Sequence, residues 1–338
     1  MILMAYVIVM GFTVPLGQGI TKVSPEIATV GEKLTYHIQG YNTRFRNNTG
    51  IRVWLKHDNF LLESTAQDFK DEQSADVQFE FPRFVDTAKA YVDLSLIMDT
   101  PDGPVVLPSA VSLKNIADSS GKVKLTWSDQ LTIHPHKESN FNYPFRNIFG
   151  ETIRNTYFHV PLWFAMTFLF MFSVYYSIRY LNKNNPIDDD KVESLVRVGT
   201  LFGVLGTLTG SIWARYTWGS FWSFDVKQNM AAIALLIYGG YFLLRSSISD
   251  PDAKSRLGNI FNIFAFAMLI PLIFIIPRRF DSLHPGNGGN PALSTQDLDN
   301  SMRIVFYPAV IAYILIGFWM AELVYRYRLT YNKLNKIN

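Results

Sequence analysis

Apolar residues change their spacing once along this chain, near Asn155. Upstream, from about residue 20 to residue 139, they alternate with polar ones in short runs, at 33–39, 51–56, 77–81, 91–98 and 123–127. Runs of that length, parted by turn clusters at 101–103 (Pro-Asp-Gly) and 119–121 (Ser-Ser-Gly), predict an antiparallel all-β sandwich. Downstream the polar positions drop out over 160–178, 198–214, 230–244, 260–277 and 304–321. Each run is close to the roughly 20 residues that a bilayer-crossing helix requires. The opening 16 residues are apolar and uncharged and end at Pro15 and Gly17. With no basic n-region and no small-residue cleavage site, they are read as an uncleaved first transmembrane helix. A cleaved signal is the alternative, and the true start can lie upstream of Met1.

The expected architecture is therefore a multi-pass α-helical membrane protein of about six transmembrane helices with an inserted all-β domain. Its expected parts are a first helix at 1–18, an extracytoplasmic β-sandwich at 20–140, a five-helix membrane domain at 150–330 and a cytoplasmic tail at 331–338. The mean hydropathy of +0.09 averages over these two unlike halves. Basic residues at helix ends assign the sides. Arg326, Arg328, Lys333 and Lys336 follow the last span, Arg179 and Lys183 another, and Arg245, Lys254 and Arg256 lie between two more. These mark the cytoplasmic face. Counting crossings then leaves the β-domain, the stretch before Val160 and the loops 215–229 and 278–303 on the outer face.

That placement brings together His159, His284 and the octet Trp218-Gly219-Ser220-Phe221-Trp222-Ser223-Phe224-Asp225, which are far apart in sequence. Two neutral imidazoles can take both axial positions of a haem iron, flat rings can stack on a porphyrin, and cations can pair with its propionates. Arg215, Lys227, Arg278, Arg279 and Arg303 supply positive charge where membrane topology disfavours it; Arg215 and Lys227, flanking the octet, are the better propionate partners. The net charge of +3 and the lack of basic, aromatic-interleaved clusters set nucleic acid aside. The absence of cysteine removes disulfides and thiolate chemistry together.

Simpler roles compete for each residue. A histidine at a helix end serves as an interfacial anchor or cap, and Asp225 can cap the helix after it, organise the loop, or do both. Asp188, Asp189 and Asp190 beside Pro186 read as a solvated turn and N-cap region. His134 and His136, with Pro135 between them, read as a solvated edge.

The segment 210–225, Gly-Ser-Ile-Trp-Ala-Arg-Tyr-Thr-Trp-Gly-Ser-Phe-Trp-Ser-Phe-Asp, resembles the tryptophan-rich "WWD" signature of the CcmC family of cytochrome c maturation proteins. Tyr157-Phe158-His159-Val160-Pro161 and Ser282-Leu283-His284-Pro285-Gly286 resemble that family's two histidine sites. The resemblance covers about residues 155–328. It implies a bacterial inner-membrane protein that holds haem b as transient cargo at the periplasmic face. His159 and His284 would be axial ligands, with Trp218, Gly219, Phe221, Trp222, Phe224 and Asp225 around the macrocycle. It also implies delivery to a CcmE-like haem chaperone, with CcmA and CcmB as ABC-type partners and the small CcmD. Phe221 and Phe224 stand where the family usually has tryptophan, which keeps a ring and loses an N–H donor. The β-domain has no counterpart in the family core; its Val23-Ser24-Pro25, Gly31 and segment 40–45 resemble an immunoglobulin-like module. A CcsA-type synthase, which attaches haem directly, and a membrane-anchored adhesion or scaffold protein are the alternatives.

Overall fold

A computed structural model describes residues 1–47, 50–58, 60–82, 90–114, 141–284 and 298–334. They fall into two compact units, residues 15–150 and residues 1–14 together with 151 onward.

The first unit is β where described, apart from a 3-10 turn at Phe45–Asn47. Its strands are β1 (Gly19–Ser24), β2 (Ile27–Thr29), β3 (Lys33–Tyr41), β4 (Arg52–His57), β5 (Phe60–Glu63), β6 (Ala66–Phe69), β7 (Ser74–Glu80), β8 (Tyr91–Thr100) and β9 (Gly103–Lys114). They form a four-stranded sheet, β1-β3-β7-β6, and a five-stranded sheet, β2-β9-β8-β4-β5. Every pairing is antiparallel except the short β2 against β9. Alternation in the sequence is what allows this. In β3 the residues Tyr36, Ile38 and Gly40 turn inward and their neighbours outward, and β7 sets the buried Val77 opposite Tyr36, Ala75 opposite Ile38 and Phe79 opposite Leu34. Both sheets contribute to one core, Tyr36, Val77 and Phe79 from one and Val53, Leu55, Leu94 and Val111 from the other. The run at 123–127, the turn at 119–121 and His134 and His136 lie outside the described residues.

The second unit is helical, with α1 (Ile2–Thr13), α2 (Thr156–Lys183), α3 (Pro186–Trp218), α4 (Val226–Ser247), α5 (Pro251–Ile270) and α6 (Asn300–Leu334). The last five are long and apolar enough to cross a membrane; α1, the expected sixth span, is apolar but only 12 residues long. Helix α5 does not end cleanly. It continues as a π-helical turn at Pro271–Ile275 and a tight 3-10 turn at Ile276–Arg278, where Pro271 and Pro277 interrupt the regular ladder.

The antiparallel pair α2 and α3 is built on a stripe of glycines. A Cβ at Gly199 would lie 2.6 Å from Phe170, at Gly203 2.8 Å from Met166, at Gly206 2.9 Å from Trp163 and at Gly210 2.6 Å from His159. The glycines step by four, three and four residues, and their partners step back by the same intervals, so each large α2 side chain lies in the space left by one α3 glycine. Without a hydrophobic drive between helices in lipid, such close approach is a main source of association.

At the other end of α3 the three aspartates are not a solvated turn. Asn185 supplies the cap, its side chain accepting from the Ile187 N–H, while Asp188 and Asp189 are buried. Arg245 of α4 donates twice to Asp189, at 2.7 and 2.9 Å, and reaches Glu193 at 3.0 Å. Asn259 and Ser255 of α5 donate to the same aspartate at 2.6 and 2.8 Å, and Arg328 of α6 pairs with Asp190 and Glu193. Burying these charges is costly alone, and each is matched here. The network ties four helices together where the sequence suggested only a turn.

The ring of Phe170 cannot yield to a new methyl, being fully buried and stacked 3.6 Å from Tyr238. Gly199→Ala is therefore expected to lower the thermal unfolding midpoint of the detergent-solubilised protein, with an overpacking cost of about 1–3 kcal/mol. Gly239→Ala, whose added Cβ meets nothing within 4 Å, should leave the midpoint unchanged or raise it.

Candidate functional site

Three sequence-distant pieces meet at one end of the helical unit: the first turns of α2, the α3–α4 loop, and the segment after α5. Four successive helices, α2 to α5, running alternately up and down bring them to a common end without any contribution from α1. Together they line a cleft with about 710 Å³ of space between atoms, part of it open. His159 and Trp163 come from α2, Gly206, Thr207, Gly210 and Ser211 from α3, Trp222 from the loop, Lys227, Gln228 and Ala231 from α4, Ile273 and Pro277 from the distorted end of α5, and His284 from beyond it.

His159 is held by the helix pair. Its ring lies edge-on to Trp163 and Trp213, with centroids 6.3 and 5.9 Å away, and rests against the open Cα of Gly210. Its Nδ1 is 3.1 Å from the Thr209 hydroxyl. That hydroxyl is within hydrogen-bond distance of the Leu205 and Gly206 carbonyls, at 2.9 and 3.1 Å. With the hydroxyl proton on either carbonyl, the oxygen accepts from Nδ1–H and the lone pair of His159 is on Nε2.

His284 is held by Asp225. The carboxylate accepts from the Lys227 N–H at 2.9 Å, which caps α4, and from three groups of one short segment: the Ser282 hydroxyl at 3.0 Å, the Leu283 N–H at 2.8 Å and His284 Nδ1 at 2.8 Å. Capping and organising the site are thus one task of one side chain. The helix it caps begins at Val226. Burial alone would raise the Asp225 carboxyl, but the His284 bond and the Leu283 N–H outweigh it and hold the group well below the usual carboxylate range. As at His159, Nδ1 is engaged and Nε2 is left as the acceptor.

The octet divides by position. Trp222 lines the cleft and donates to Asn229 at 3.2 Å. Trp218 sits edge-on to His284, 4.6 Å between centroids. Gly219 ends α3 in the left-handed conformation, φ +79°, that a residue without a Cβ takes at little cost. Phe221 and Phe224 are 57% and 78% exposed and do not line the cleft, and Phe224 has a positive φ of 56°. Of the two cations expected beside propionates, Lys227 lines the cleft. Arg215 instead donates to the Gly219 carbonyl and covers the Phe221 ring at 5.8 Å. Arg278 and Arg279 are exposed.

Sequence reasoning missed Thr209, Trp163, Trp213 and the glycines beneath His159. The repeated spacing of Gly199, Gly203, Gly206 and Gly210 was the available signal for the helix face that seats the imidazole. Nothing in sequence marked Thr209, because a threonine bonding back to its own helix is common in apolar segments. Among the described residues no group of three or more His, Cys, Asp or Glu could hold a bare metal ion. Two imidazoles suit an iron whose remaining ligands arrive with it.

A family model described as heme exporter protein C matches residues 138–337. Most of the β unit lies outside this match. Heme exporter protein C of Bradyrhizobium diazoefficiens is 27% identical over 172 residues, covering 49% of this chain and 63% of that protein. Its counterpart in Rhodobacter capsulatus is 24% identical over 175 residues, 51% and 69% of the two chains. Cytochrome c biogenesis protein CcsA of Prochlorococcus marinus is 38% identical over 73 residues, 20% and 23%. The chain thus spans about two thirds of the length of the heme exporter relatives it matches.

Because the folded value of Asp225 is depressed, its contribution is complete above the ordinary carboxylate pKa of about 4 and is lost only as pH falls through the lower folded value. Hydrogen-exchange protection of the Leu283 amide should therefore hold from neutral pH down to about 4. In Asp225→Asn it should fall at every pH, by about 1.5–3 kcal/mol of local stability, the range for hydrogen bonds to a charged group.

Proposed function

The chain belongs to the heme exporter protein C family, and we propose that its outer-face cleft holds haem as cargo during cytochrome c biogenesis. His159 and His284 supply the axial nitrogens, Trp222 a stacking face and Lys227 a partner for a propionate. The observation that carries this reading is that both imidazoles line one cleft with Nδ1 engaged on each, so each retains Nε2 for iron. Trp218 and Asp225 act on His284, one by edge contact and one by hydrogen bond. Gly219 shapes the loop. Phe221, under the Arg215 guanidinium, and the exposed Phe224 form its outer rim.

The protein is read as a binding and transfer protein of the bacterial inner membrane, with the cleft and the β unit on the periplasmic side and the C-terminus in the cytoplasm. Basic residues after α2 and α6 support that orientation, and α1 is assigned as a sixth, short membrane segment. Haem b is the cargo. A CcmE-like chaperone receives it, with CcmA, CcmB and CcmD as the partners that the family implies. The immunoglobulin-like β unit is a docking module for one of them. A scaffold protein would need none of the paired imidazoles, and the similarity to CcsA is confined to a fifth of this chain.

Purified protein is expected to show a Soret band that the double variant His159→Ala, His284→Ala lacks at equal protein level; an unchanged band would defeat axial ligation. Trp222→Ala should fold normally and retain haem roughly 2- to 10-fold less well, as loss of about 0.5–1.5 kcal/mol of ring contact implies. Haem titration with a melting control checks it.

A further inference from the structure

The two imidazoles are held by different chemistry. His284 donates its Nδ1–H to a buried carboxylate, which lies at 2.8 Å and is fixed by three further donors. His159 Nδ1 instead lies 3.1 Å from a neutral hydroxyl that is also within reach of two carbonyls of its own helix. A carboxylate behind an imidazole pulls the N–H proton toward itself and raises the electron density on the opposite nitrogen; a neutral oxygen does so far less.

We infer that Asp225 and Thr209 make the two histidines unequal ligands, so that His284 stays on the iron and His159 is the ligand that lets go when the cargo is passed on. This deepens the haem reading and rests on it. Asp225 and Thr209 are positioning residues, acting on the cargo only through the rings they hold. The placement fits a staged release. His159 stands on a rigid helix pair, between Trp163 and Trp213 and over Gly210, and cannot follow a departing molecule. His284 lies in the segment beyond α5, where no helix backbone fixes it and the Asp225 carboxylate is its main tether. No bond other than iron to imidazole nitrogen breaks, and the axial position vacated by His159 is open to a donor from the recipient.

The test uses the full chain loaded with haem, reduced, and mixed with carbon monoxide, which takes one axial position of ferrous haem and so reports which imidazole remains. If His284 is retained, Asp225→Asn shifts the iron–carbon and carbon–oxygen stretching frequencies of the adduct, because the retained imidazole loses its carboxylate. Thr209→Val is expected to leave those frequencies in place and to speed carbon monoxide uptake by about 10-fold or more, the usual scale for losing a partner behind a ligand. Thr209→Ser, which restores the hydroxyl, should return the uptake rate to that of the unaltered chain. The inference is overturned if Thr209→Val shifts the adduct while Asp225→Asn does not, or if Thr209→Val leaves uptake unchanged. An unaltered chain that shows no six-coordinate haem spectrum before carbon monoxide is added defeats the haem reading itself, and this inference with it.

Discussion

One carboxylate holds the site in register. Asp225 closes the first turn of α4 through the Lys227 N–H and at the same time binds the Ser282 hydroxyl, the Leu283 amide and the His284 ring. Two loops separated by a complete pair of crossings are thereby joined at a point of little exposure, where a charge-assisted hydrogen bond is worth more than at a wet surface. Without a negative charge there, the segment bearing His284 would be held against the octet less firmly. The lowered pKa of the group records how many donors converge on it.

The opposite ends of the same helices solve a related problem with different material. Asp189, Glu193, Arg245 and Arg328, with Asn259 and Ser255, pair charge against charge across α3, α4, α5 and α6. Between α2 and α5, the Asn262 amide donates to Ser173 and Ser177 at 2.9 and 3.0 Å. In an apolar surround such matched polar contacts add to packing and make one arrangement of the bundle preferable to its neighbours. With one end fixed this way, the loops at the other are left to their chemistry.

Much of this was legible in the residues. The five long helices followed from apolar runs, and β3, β4, β7 and β8 from period-two alternation, because both patterns are set by which faces avoid water. The two histidines and the octet stood out as candidates, each with a simpler structural role in competition. What stayed hidden was whatever depended on a partner distant in sequence. Asp188 and Asp189 look like residues of a wet turn until Arg179 and Arg245 are brought beside them. That the Arg215 guanidinium would lie on the Gly219 carbonyl and the Phe221 ring was not readable from its place beside the octet. Thr209 is unremarkable until an imidazole rests on its hydroxyl.

The step-for-step pairing of Gly199, Gly203, Gly206 and Gly210 with Phe170, Met166, Trp163 and His159 has a consequence for how such a protein can vary over generations. The last pair in that ladder seats an imidazole that lines the cleft, so that ring inherits its location from the same interlocking that assembles the helical unit. A lineage that enlarged one of the upper rungs would have to shrink its opposite number or displace the ring below it. Substitutions along this seam should accordingly be accepted in couples, with the rung at His159 the least free to change.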